Sequence, residues 1–130
     1  MLKTPEINLV FAWAWMLAGF LSGLIMGLFF NREDWLGGYT SLKRRLFRLA
    51  HISFFGLGAV NLMYYFTARH VLGPSFLQSL AAWGFVLGGI TMPLACAIMA
   101  RWTRAKILFA VPVLTLVASG ALTILDLIKI

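Results

Sequence analysis

The sequence has a single cysteine, Cys96, and only four acidic residues among 130. One cysteine cannot make a disulfide framework within the chain, and it excludes the four-helix disulfide oxidases and vitamin K epoxide reductases, which need a CxxC pair or several cysteines. Charge of either sign is scarce, at 12% of residues, whereas 62% are hydrophobic. Ordinary soluble domains are roughly 45–50% apolar and about 25% charged. A chain of this size buries only about two-thirds of its surface on folding, so water could not tolerate the apolar remainder. A disordered segment and a water-soluble enzyme are excluded on the same ground. No Walker loop, GxSxG, HExxH or dinucleotide fingerprint is present, and no enzymatic activity is expected.

What is present is a set of long apolar runs, with a mean hydropathy of +0.91. Four of them, Leu9–Phe30, Phe47–Ala68, Phe76–Ala100 and Ile107–Ile128, are each 22 residues or longer. About 20 apolar residues cross the hydrocarbon of a bilayer as a helix, and helices are needed because lipid cannot satisfy open backbone groups. The expected fold is all-α, an integral membrane four-helix bundle forming one domain over residues 1–130. The first run is too long for the apolar core of a signal peptide and is expected to remain as a membrane helix.

The net charge of +7 is unevenly spread. The first and third connections, with the adjoining helix edge, hold Arg32, Lys43, Arg44, Arg45, Arg48, Arg101, Arg104 and Lys106. The opposite side holds Lys3, Arg69 and Lys129. This eight-to-three split predicts basic loops inside and both termini outside, in a bacterial inner membrane. The segment Lys43, Arg44, Arg45, Arg48 is expected to meet anionic lipid or a partner subunit. The high pI serves orientation here, so nucleic acid is not an expected partner.

Small residues recur every four positions at Gly19, Gly23 and Gly27 in the first run and at Gly84 and Gly88 in the third. Such glycine-zipper stripes let helices approach closely, and they are expected to pack helices within the chain or against another subunit. Pro93 and Pro112 fall inside the third and fourth runs; Pro93 should free the carbonyl of Gly89.

Chemistry-bearing residues inside the spans are few. No Asp, Glu, Lys or Arg lies mid-span, which argues against an ion-coupled exporter. His51 opens the second run and heads a polar stripe with Asn61, Tyr65 and Arg69. By depth, His51, Cys96, Met92 and Met26 share one layer, a donor set that would suit a soft metal or haem iron. Packing explains Met and Cys more simply. His51 and His70 lie about 28 Å apart on a continuous helix, too far to serve one iron. Asp126 is expected to pair with Arg69 or His70. Three functions are compatible with these features. The first is a small accessory subunit of a larger inner-membrane complex for electron transfer, respiratory or photosynthetic. The second is a haem b- or quinone-binding membrane protein using His51. The third, a small oligomeric transporter or channel, lacks a polar pathway.

Overall fold

The computed structural model describes residues 3–130 and is helical throughout, with no strand among the described residues. Four long helices follow one another: α1 (Glu6–Phe29), α2 (Leu42–His70), α3 (Phe76–Arg101) and α4 (Ala110–Ile128). Short 3-10 segments, Trp35–Gly37 and Thr103–Phe109, lie in the first and third connections. All four helical regions, the last including Thr103–Phe109, are long and apolar enough to cross a membrane.

α1 and α2 begin before the apolar runs read from sequence, because hydropathy marks only the apolar middle of a helix, whereas α4 begins at Ala110 rather than Ile107 because a 3-10 segment precedes it. The clearest case is α2, which starts at Leu42 rather than near Phe47. Ser41 caps it, its hydroxyl accepting from the Arg44 N–H. An extended residue with a short oxygen-bearing side chain satisfies one of the unpaired amides of the first turn. Ser75 does the same for α3 through the Gln78 N–H. The helical phase of Lys43, Arg44 and Arg45 is thereby set before the apolar run begins. Pro112 falls in the first turn of α4, where its missing N–H costs little.

Sequential helices are the main neighbours: α1 against α2, α2 against α3, and α3 against α4, with a lighter contact between α1 and α3. Glu6 and Arg69 meet at 3.7 Å, tying the start of α1 to the end of α2. Their exposure makes this pair a weak contributor. Asp126 instead accepts from the Ser75 hydroxyl at 2.9 Å, pinning the end of α4 to the start of α3. The expected pairing of Asp126 with Arg69 or His70 is absent: Arg69 faces Glu6, and His70 stacks on Phe66.

Near the same end, buried polar groups hold α1, α2 and α3 together. Asn8 and Asn61 are both fully buried. The Asn8 amide donates to Asn61 Oδ1 at 2.8 Å and to the Ala82 carbonyl at 3.0 Å. The Asn61 amide donates to the Leu57 and Phe85 carbonyls. Tyr64 donates to the Gln78 carbonyl, and Gln78 donates to that of Ala68. In an apolar surrounding such bonds specify register, because a misregistered helix would strand each group without a partner.

Close approach is arranged by glycines, at positions that differ partly from the expected stripes. A Cβ at Gly58 would stand 3.1 Å from the Ala12 carbonyl, so α1 and α2 meet backbone to backbone there. Gly84 and Gly88 face α4, where added carbons would strike Ser119 and Leu116. Gly19 and Gly23 receive the Phe55 and His51 rings rather than a partner backbone. Gly27 has no neighbour within 4 Å of a Cβ, so the expected packing stripe stops at Gly23.

Candidate functional site

The first connection is built before any site can form beside it. Leu36, Gly37 and Gly38 all have positive φ, at 52°, 84° and 102°. The left-handed region costs a residue with a Cβ free energy, and Leu36 adopts it because its surroundings hold it. Its carbonyl accepts from Ser41 Oγ at 2.6 Å. Arg44, 1% exposed, is the larger anchor. Its guanidinium donates to the Phe30 carbonyl at 2.6 Å and the Arg32 carbonyl at 2.9 Å. It also lies over the rings of Tyr39, Trp35 and Phe30 at 4.0, 5.2 and 5.6 Å. The carbonyl of Phe30, which caps α1, and that of Arg32 just beyond it thus find a cation at the negative end of the helix.

This corrects the expectation for the basic segment. Arg44 is an internal clamp and is not free for lipid or a partner, because its helical phase turns it toward the end of α1. Lys43, Arg45 and Arg48 remain exposed, as do Arg32, Arg101, Arg104 and Lys106.

The clamp positions Trp35, which stacks on Phe29 with ring centroids 5.8 Å apart. Trp35 closes one end of a cleft of about 480 Å³ between α1, α2 and α3. Trp15 lies toward the other end. Its indole N–H donates to the Gly89 carbonyl at 2.9 Å. That carbonyl is available because Pro93, four residues on, has no N–H to offer. Trp15 also stacks on Phe11 and meets Phe54 edge-on, so its ring is held on three sides. Between the two indoles the walls are almost wholly apolar, with Met26, Phe47, Ile90, Pro93 and Leu94 among them.

His51 is the titratable side chain of this cleft, and it is half-buried. Its Nδ1 lies 2.8 Å from Ser22 Oγ, and its ring meets Phe55 edge-on. Gly23 leaves room for the ring: a Cβ there would stand 2.9 Å from His51 Cε1. Among the described residues, Nε2 has no hydrogen-bond partner within the chain. The same ring borders a second groove of about 240 Å³, lined by Gly23, Met26, Gly27, Phe30, Arg48 and Ile52. The site therefore combines flat aromatic walls, an apolar interior and one oriented imidazole.

The donor layer inferred from depth divides. Met26 borders both cavities beside His51. Cys96 is fully buried and Met92 half-buried, and neither lines either cavity. Equal depth on different helices does not set facing, so the four-residue set His51, Cys96, Met92, Met26 is not assembled as a metal site. No cluster of three His, Cys, Asp or Glu side chains occurs among the described residues. The polar stripe of α2 divides too: Asn61 enters the core, Tyr65 lies beside Phe66, and Arg69 is exposed. Sequence reading passed over Ser22, Trp15 and Trp35 as parts of a site. Ser22 carried a signal, since a serine one position from Gly23 belongs to the same helix neighbourhood. The convergence of two tryptophans 20 positions apart carried none. No family model, curated protein or solved structure matches the chain.

Proposed function

We propose that this chain is a four-span integral membrane protein serving as a small accessory subunit of a larger inner-membrane assembly, an electron-transfer complex, and that it contributes a site for a lipophilic molecule at His51. The observation that carries this reading is the apolar, aromatic-walled cleft with an anchored imidazole on its wall. A cofactor of the haem or quinone class is the kind of molecule such a site takes. An apolar cavity with one or a few placed polar groups is the usual design of a small-molecule site. Haem fits less well, because its two propionates need cations and none lines the cleft. Arg48 borders only the neighbouring groove. The absence of mid-span acids supports a subunit role over transport.

The protein purified in a mild detergent should migrate with other membrane subunits. Organic extraction should release a lipophilic ring compound near stoichiometry. A Soret band would identify haem instead. A lone chain that releases only phospholipid would overturn the proposal.

The orientation we infer, both termini outside, rests on seven exposed cations at the opposite end from the termini. They also suit that end to anionic headgroups. Single cysteines at the exposed positions Glu33 and Gly73, in a Cys96→Ala background, report on it. An impermeant thiol reagent applied to intact cells should label Gly73→Cys and spare Glu33→Cys. The reverse pattern would invert the orientation.

A further inference from the structure

Resting on the reading of the chain as a membrane protein, but not on that of the cleft, we infer that the groove between α1 and the start of α2 holds one anionic phospholipid. Its phosphate lies on Arg48 and the upper part of one acyl chain lies over Gly27. The groove, of about 240 Å³, adjoins the cleft and shares Met26 and His51 with it. Gly23, Gly27 and Phe30 line it from α1, and Arg48 and Ile52 from α2. From Phe30 to Gly23 it covers about 10 Å at 1.5 Å per residue. One turn further along α1 the Phe55 ring covers Gly19, and the groove does not continue.

Charge is ordered along this groove. Arg48 stands near the end of the molecule that carries the exposed cations, and Gly23 lies toward the middle of the span. Arg48 is exposed and has no carboxylate partner among the described residues. Arg45, three residues back on α2, is exposed as well. Cations at a membrane surface attract anionic headgroups. Gly27 adds a second observation: a Cβ there would meet nothing within 4 Å. Glycine weakens a helix relative to alanine, and no contact within the chain accounts for it at this position. The missing side chain leaves a hollow below the level of Arg48. A neighbouring helix would fill it less well, because apolar side chains would strip water from Arg48 without supplying a counter-charge. A phospholipid brings an anion and a hydrocarbon chain in the order in which the groove presents its cation and its apolar wall.

The test uses the full chain in a non-ionic detergent, where no charged bilayer surface remains and retained lipid is counted by native mass spectrometry. Phosphatidylglycerol and phosphatidylcholine with the same acyl chains are titrated separately. One phosphatidylglycerol should be held per chain, about fivefold more tightly than phosphatidylcholine, the contribution of one cation beside an anionic headgroup. Arg48→Gln should abolish that preference. Arg104→Gln, an exposed cation on the third connection, should change it by less than about twofold, because exposed charges away from the groove are screened by salt. Gly27→Leu has space for its side chain, so it should keep the circular dichroism of the unaltered protein while filling the groove and weakening both lipids. Glycerol phosphate, a head without chains, should not displace the lipid. Equal retention of the two lipids, equal losses in Arg48→Gln and Arg104→Gln, undiminished retention in Gly27→Leu, or displacement by glycerol phosphate would overturn the inference. So would a second copy of the chain held in place of lipid and lost in Gly27→Leu. Each of these results leaves the cleft and its ring compound untouched. A chain that stays in solution without detergent would overturn the membrane reading and this inference with it.

Discussion

Gly84→Leu is expected to detach α4 from the rest of the protein. A Cβ at Gly84 would collide with Ser119 Oγ, and the Ser119 Cβ lies only 3.3 Å away. Ser119 is itself buried, so it has no room to turn aside. The main neighbour of α4 is α3, and few other contacts would hold it in place. Forcing one extra methylene into a filled contact costs about 1–3 kcal/mol, and a leucine adds several carbons. Gly84→Ala should therefore lower stability by about 1–3 kcal/mol, and Gly84→Leu by more than about 3 kcal/mol. The collision is with an oxygen, so Ser119→Ala should restore most of the loss in Gly84→Ala. Ser119 itself gives up only a bond to the Thr115 carbonyl on its own helix. Unfolding in mixed micelles, read by far-UV circular dichroism, measures all four members of this cycle. Wild-type stability of Gly84→Leu would show that α3 and α4 do not meet as described.

Replacing Arg44 should release the first connection and with it the end of the cleft. The guanidinium makes two charge-assisted bonds to carbonyls and sits among three aromatic rings. Hydrogen bonds to charged groups contribute about 1.5–3 kcal/mol each. A cation over a ring adds about 0.5–2 kcal/mol. Burying the guanidinium costs desolvation that the substitution relieves, so Arg44→Met, of similar volume, should lower stability by about 3–5 kcal/mol, less than the sum of these contacts. Arg44→Lys should recover only part of this, because an ammonium cannot present the planar fork that reaches two carbonyls at once. The local readout is Trp35, whose emission should shift to the red as it leaves Phe29. Trp15 should stay in place, since its anchor is the Gly89 carbonyl on α3. If Arg44→Met unfolds with wild-type stability and unchanged emission, the clamp is not what orders this loop.

The architecture was legible where the physics is one-dimensional. Four apolar runs become four helices because a long apolar segment offers its backbone groups few partners but one another, whatever its neighbours. The freeing of the Gly89 carbonyl by Pro93 was equally legible, since it depends only on an i to i−4 relation. What took that carbonyl, Trp15, was not. The indole sits 74 positions away, and nothing local couples the two. Arg44 shows the same limit from the other side. Lys43, Arg44 and Arg45 read alike as a basic run, yet the cap at Ser41 sets a helical phase that buries the middle one and exposes its neighbours.

The amino-acid sequence by itself determined the helical class, the number of long apolar helices and the uneven distribution of basic residues between the two ends. These follow from composition, run length and residue type, which need no knowledge of packing. Tertiary structure alone decided what surrounds His51. Depth along a helix follows from counting residues, but facing depends on helix rotation and on which helices adjoin. Hence Met26 lies beside His51 while Cys96 and Met92 turn elsewhere. Ser22 orients the imidazole and Gly23 makes space for it because α1 packs on α2 at that height. Tertiary structure likewise brings Trp15 and Trp35 to opposite ends of one cleft. Each is set by a carbonyl or cation on another segment, a pairing that no local pattern encodes.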